Sequence, residues 1–347
     1  MDHRRSGLGI AGRGTLGRLL RCVLGASLAL TLAPGSAVAS GACSDAPSYT
    51  QNGPYSWMGG PAVEQVVIFQ APSGTLTGEV FRPADTSTYQ GPRPAILVMH
   101  GFGVDQCSVW WAARDFAGHG YSVLTFSESN FDRYTYEADA EAALGFLTGG
   151  SNPFHNYTDP LKVGVAGHSE GAIEAGLLQR DLPAGEVDAI VAFDNLHRYA
   201  VNDPGGAVAC GGTPSDEITP RVPALGEAED APCKSNPLRR PADLKEGGWS
   251  AWQGAGQPSE IVVLAGTQHS DWAAAHARLA DPGRLELFAY YAQAWFDRWL
   301  LGDTTAEQRL LATTVLGQPL SEVLSSRYHS GAFIGNVSTD DMRGTLH

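Results

Sequence analysis

Five residues, Gly167-His168-Ser169-Glu170-Gly171, restrict the fold of this chain more than any other segment. An apolar run at 161–166 precedes them and predicts a strand, and a helical pattern at 172–182 follows. Glycines two positions to either side of the serine permit a sharp strand-to-helix turn, which presents the serine hydroxyl at the end of a sheet. The pattern therefore predicts a strand–turn–helix unit with Ser169 as a candidate nucleophile.

The same alternation of strand and helix continues along most of the chain. Runs rich in β-branched and apolar residues predict strands at 66–69, 75–81, 95–99, 121–126, 161–166, 187–193, 222–225 and 261–265. Helical patterns lie at 107–117, 137–147, 172–182 and 285–301. Because the central strands are apolar without interruption, we expect a sheet that is buried on both faces. The sequence therefore predicts an α/β fold with a mostly parallel central sheet flanked by helices.

The first 39 residues have the pattern of a secretory signal peptide, because five arginines precede an apolar run at 22–33 and small residues end at Ala39. This run is shorter than the roughly 20 apolar residues that cross a bilayer, so no membrane span is expected. We expect a single domain at 40–325, with a loop-rich excursion at about 197–258 and a C-terminal tail at 326–347.

The chain is acidic, and its charge limits the partners to be expected. The formal net charge is −14, and removal of residues 1–39 makes it −18. Such a surface argues against nucleic acid and anionic membranes as partners. The ten histidines are scattered and no zinc-ligand spacing occurs. No metal or other cofactor is therefore expected. We also expect a monomer.

Four cysteines remain after the signal peptide: Cys43, Cys107, Cys210 and Cys233. In an exported protein, four cysteines predict two disulfides. Cys210 with Cys233 would close one loop. Cys43 with Cys107 would tie the N-terminal segment to the body of the domain.

A serine hydroxyl needs a base to become nucleophilic, and His269 is the candidate. It follows the strand at 261–265 and precedes the long helical pattern. The loop His100-Gly101-Phe102-Gly103 follows the strand at 95–99. The backbone amides of Phe102 and Glu170, the residue after the serine, are the candidates for an oxyanion hole.

Two places in the sequence offer the acid that would orient His269. Asp194 comes directly after the strand at 187–193, whereas Glu229 and Asp230 follow the next strand, which is the commoner location. We favour Asp194 because the run from Pro223 to Asp230 is short for a strand and a turn. Glu229 and Asp230 remain alternatives.

These pieces, in this order, resemble the α/β-hydrolase fold and, within it, the secreted bacterial cutinases and polyester hydrolases, relatives of dienelactone hydrolase. The resemblance extends from about Asn52 to Gly302 and includes Gly266-Thr-Gln-His269 and Ala294-Trp-Phe-Asp-Arg-Trp299. His168 and Glu170 flank the serine where polyester hydrolases carry Trp or His, and then Met or Gln.

The resemblance implies hydrolysis of a small-molecule or polymeric carboxylic ester outside the cell or in the periplasm, through a Ser-His-acid triad and an acyl-enzyme. An amide or lactone hydrolase would use the same residues. A non-catalytic secreted binding protein would share the fold, although such proteins usually lose the serine or the histidine, and this chain has both.

Overall fold

The computed structural model describes residues 43, 59–127, 133–194, 219–230, 251–273 and 282–329. These residues all lie within one compact unit, Ala39–His347. The predicted signal peptide lies outside the described residues, and so do Cys210 and Cys233 with the pairing predicted for them.

A nine-stranded sheet forms the centre of the described structure. Its strands are β1 Ala62–Ala71, β2 Gly74–Pro83, β3 Arg93–Met99, β4 Ser122–Ser127, β5 Thr158–His168, β6 Ala189–Phe193, β7 Ala224–Glu229, β8 Ser259–Leu264 and β11 Leu324–His329. They lie side by side in the order β1-β2-β4-β3-β5-β6-β7-β8-β11. The strands from β4 to β8 in this order pair in parallel, and the outer strands pair antiparallel. The predicted α/β fold is confirmed.

Helices cover both faces of this sheet. They are α1 Trp110–Gly118, α2 Arg133–Thr148, α3 Glu170–Asp181, α4 Pro282–Leu300, α5 Ala306–Leu310 and α6 Leu320–Val323. In β3, Ile96 and Val98 face the core under α1 and α4, whereas Leu97 and Met99 face the core under α2 and α3. This alternation is what a strand requires when both of its faces are buried. It explains why the central strands are apolar without interruption.

The C-terminal part of the sheet differs from the prediction. A tail was expected from residue 326, but β11 runs to His329 and pairs antiparallel with β8. A hairpin of two short strands, β9 Thr314–Val315 and β10 Gln318–Pro319, precedes it. Arg327 of β11 is buried, and its Nη1 donates to the carbonyl of Leu310 at 3.0 Å. Because β11 buries polar side chains, a search for apolar runs does not find it.

The strand predicted within the loop-rich excursion exists and is longer than expected. It is β7, which continues to Glu229 instead of ending near residue 225. Glu227 and Glu229 are therefore buried strand residues and not part of a turn. This extension carries the acidic side chains of β7 to the carboxyl end of the sheet, next to the end of β6.

Cys43 and Cys107 form a disulfide, which confirms one of the two predicted pairings. Cys107 lies in a 3₁₀ helix at Gln106–Ser108, and the Asp105 side chain accepts from the Cys107 amide at 2.9 Å. Cys43 is buried in the core beneath α1. No helix among the described residues has the length and apolar character needed to cross a bilayer.

Candidate active site

The turn between β5 and α3 holds Ser169 in a strained backbone conformation. Its φ is 55°, a value that costs a non-glycine residue about 1–3 kcal/mol and that clusters at functional sites. The glycines of the motif make the turn possible. A Cβ on Gly167 would lie 2.2 Å from Gly171 backbone, and one on Gly171 would lie 2.6 Å from the Met99 carbonyl. The sequence motif therefore forms the sharp turn that it predicts.

His269 lies across from this serine, at the start of a 3₁₀ helix, His269–Trp272, that follows β8. Its Nε2 is 3.0 Å from Ser169 Oγ, within hydrogen-bonding distance. Its Nδ1 contacts Oδ2 of Asp194, whose side chain is fully buried, while 39% of the His269 side chain is exposed. The imidazole thus connects a serine hydroxyl to a buried carboxylate and remains open to solvent.

Asp194 follows β6 directly and has a φ of 66°, again in the left-handed region. Its amide donates to the carbonyl of Glu227 at 2.6 Å. Its second carboxylate oxygen, Oδ1, accepts from the amide of Glu229 at 2.7 Å. The main chain and the side chain of Asp194 are therefore both fixed by β7, and the remaining oxygen is directed to the imidazole.

The two alternative acids of β7 have other contacts. The Glu229 carboxylate accepts from the backbone amide of His269 at 2.7 Å. The Asp230 carboxylate accepts from Ser325 Oγ at 2.6 Å and from the amide of Gly266 at 3.3 Å. Among the three predicted acids, the hydrogen bond to the His269 ring is made by Asp194.

Two residues that sequence analysis gave no role also hold the segment of His269. The His168 ring donates through Nε2 to the carbonyl of His269 at 2.8 Å. Glu227 accepts from the indole of Trp272 at 2.9 Å, and burial raises the pKa of Glu227 well above its usual range. Because His168 precedes Ser169 in the sequence, its proximity to His269 could have been anticipated. No sequence signal connected Glu227 to Trp272.

The loop after β3, which contains the candidate Phe102 amide, lies against the serine turn. A Cβ on Gly101 would be 3.0 Å from the Ser169 Cβ. The His100 ring is buried and stacks on Tyr136, whose hydroxyl donates to the His100 carbonyl at 2.8 Å. Burial lowers the pKa of His100 and keeps its ring neutral. Phe102 itself is 67% exposed.

Asp194, Glu229 and His269 also offer ligand atoms that lie within 4.8 Å of one another, a spacing that a metal ion could use. Hydrogen bonds within the group already explain this closeness. Asp194 contacts the imidazole, and Glu229 accepts from the His269 amide. An imidazole held by a carboxylate in this way is suited to proton transfer.

A mostly parallel sheet with helices on both faces and a strained serine turn at the end of β5 define an α/β-hydrolase fold. A sequence model of the family described as PETase, PET hydrolase-like, matches residues 40–201. No curated protein matches the chain in sequence. The chain is a carboxylic-ester hydrolase of the α/β-hydrolase type, with PET hydrolase-like sequence over a little less than half of its length. The matched part includes Ser169 and Asp194 and ends before Glu229 and His269.

Proposed function

We propose that this protein is a secreted serine esterase in which Ser169 is the nucleophile, His269 the general base and Asp194 the acid. The observation that carries the proposal is the pair of contacts made by one imidazole, from Nε2 to Ser169 Oγ at 3.0 Å and from Nδ1 to the Asp194 carboxylate. A base held between a nucleophile and an orienting acid is the geometry of acyl transfer through a covalent intermediate.

In the first half of the reaction, Ser169 Oγ attacks the ester carbonyl carbon and His269 Nε2 takes the hydroxyl proton. The amides of Phe102 and Glu170 donate to the oxyanion, and the N-terminus of α3 favours the same negative charge. The bond to the alcohol oxygen then breaks, and His269 returns the proton to the leaving alcohol. In the second half, water attacks the acyl-enzyme, and the proton passes through His269 back to Ser169.

Asp194 has the role of holding the imidazole in the tautomer that carries its proton on Nδ1. Its burial and its bond from the Glu229 amide fix the carboxylate before substrate arrives. An ionised carboxylate there also stabilises the imidazolium that forms when Ser169 loses its proton. This role is favoured over Glu229 and Asp230, because their carboxylates bind backbone amides and a serine hydroxyl.

The proposed substrate is a small-molecule or polymeric ester. The family name describes a hydrolase of the polyester PET, and the exposed ring of Phe102 beside the serine turn offers an apolar contact for such a chain. Export is supported by the signal-peptide pattern of residues 1–39 together with the disulfide between Cys43 and Cys107, since disulfides persist in oxidising compartments.

The test is Ser169→Ala in the exported protein, assayed on short p-nitrophenyl esters and on a PET film. We expect the hydrolysis rate to fall by at least about 10⁴-fold, because loss of a triad member removes the covalent route. The melting temperature should change little, and a fluorophosphonate probe should label the wild type and not the variant. Retained hydrolysis or labelling in Ser169→Ala would refute the proposal. Activity on the esters but not on the film would limit the substrate to small esters.

A further inference from the structure

Glu229 lies at the strand end where the sequence predicts an alternative acid, yet its side chain binds the main chain of the base. It is the last residue of β7 and is 4% exposed. Its Oε2 accepts from the His269 amide at 2.7 Å. Its own amide donates to Asp194 Oδ1 at 2.7 Å. Glu229 therefore contacts the proposed base through its carboxylate and the proposed acid through its backbone amide.

Residues at the ends of three adjacent strands, β5, β6 and β7, contact His269. His168, at the end of β5, donates to the His269 carbonyl at 2.8 Å. Asp194, just after β6, contacts the ring. Glu229, at the end of β7, accepts from the amide. Each polar group of His269 beyond Nε2 is thereby held by a neighbouring buried residue, and Nε2 is left to face Ser169 Oγ.

We propose that Glu229 is a positioning residue of this ester-hydrolysis site, which fixes the backbone of His269 by accepting its amide hydrogen bond. The inference rests on the proposed function and extends it to a residue that does not touch substrate. His269 begins a short 3₁₀ helix, so the His269 amide has no partner within a preceding helical turn. Without an acceptor at position 229, this amide loses its buried partner and the imidazole shifts relative to Ser169. A misplacement of about 1 Å can cost roughly 10²-fold in rate.

The side chain of Glu229 can be tested separately from its amide, because substitution leaves the backbone bond to Asp194 in place. Glu229→Gln keeps an oxygen acceptor of the same reach, whereas Glu229→Leu has none. Asp230→Asn is the matched control, since Asp230 is the next residue and binds Ser325 and Gly266 instead of His269. For each variant, kcat and KM are measured on a short p-nitrophenyl ester, and kcat is expressed per active site titrated with a fluorophosphonate. The melting temperature is measured as well.

We expect Glu229→Leu to lower kcat per titrated site by about 10–100-fold with KM within about twofold of wild type. Glu229→Gln should restore kcat to within about threefold, and Asp230→Asn should match wild type. Two results overturn the positioning role: a wild-type kcat per titrated site in Glu229→Leu, or an equal loss in Glu229→Gln. If Glu229→Leu does not fold, Glu229→Met takes its place.

The failure of this inference is distinguishable from failure of the proposed function. A wild-type protein that neither reacts with the probe nor hydrolyses the ester refutes the function of Ser169. A wild-type protein that does both, next to an unimpaired Glu229→Leu, refutes only the role of Glu229.

Discussion

Replacing Cys43 and Cys107 together by serine should lower the free energy of unfolding by about 4 kcal/mol. The disulfide joins residues 64 apart in sequence. In the chain-entropy description, a cross-link that closes a loop of this length removes about 14 cal/mol/K from the unfolded chain, or about 4 kcal/mol at 25 °C. Cys43 is buried beneath α1, so a serine hydroxyl there adds a further penalty.

Equilibrium unfolding in urea measures this difference. We expect the midpoint to move to lower denaturant, and the melting temperature to fall by on the order of 10 °C. The same variant also tests a link to activity, because Cys107 lies in the turn that follows the Phe102 loop. We expect kcat to fall several-fold at a temperature where the variant is fully folded, with KM nearly unchanged.

The single variant Cys43→Ser, which breaks the same bond, is the control for the cross-link, and it should lose about as much stability as the double variant. Wild type in a reductant is a second control, although reduction also reaches Cys210 and Cys233. A double variant within about 1 kcal/mol of wild type would refute the loop-closure reasoning. Free thiols at Cys43 and Cys107 in the exported protein would refute the disulfide itself.

Two further predictions concern buried carboxyl groups. Asp194→Asn should lower kcat by roughly 10³–10⁴-fold by favouring the wrong imidazole tautomer, while Asp230→Asn should match wild type. Measurement of kcat/KM on one ester checks this, and the reverse ranking would contradict it. Burial raises the pKa of Glu260 from an ordinary value near 4.5 to about 8, although the charge of Arg327 acts in the opposite direction. Between these two pH values, the folded state therefore retains a proton that the unfolded state releases. Stability should therefore fall between about pH 4.5 and pH 8, by about 2–3 kcal/mol from pH 6 to pH 8 at this site, and Glu260→Gln should remove that slope. Melting temperatures that depend on pH in the same way in wild type and Glu260→Gln would contradict the pKa assigned to Glu260.

Sequence analysis anticipated the central sheet because its strands are buried on both faces and are apolar throughout. The strand-to-helix turn at Ser169 was equally predictable, since a Cβ at 167 would collide with the backbone of Gly171 and a Cβ at 171 with that of Met99. His269 followed from its place after the last parallel strand. These features are local in sequence or follow from chain order.

The sequence did not decide among the candidate acids, because the ends of β6 and β7 both bring carboxylates to His269. Only the packing shows that Asp194 faces the ring and Glu229 the amide. The position of β11 was missed for a different reason. Its inward side chains include Arg327 and His329, and buried polar residues are recognised only when their partners across the sheet are known.

The position of β11 has a practical consequence for shortened versions of this protein. β8, Ser259–Leu264, is buried along its whole length, and β11 occupies its outer side. A chain that ended at residue 325, where the sequence predicts the end of the domain, would leave backbone N–H and C=O groups of this buried strand without their partners. Such an open edge pairs readily with strands of other molecules and promotes aggregation. Expressed versions should therefore retain the chain through His329, with any affinity tag placed beyond it.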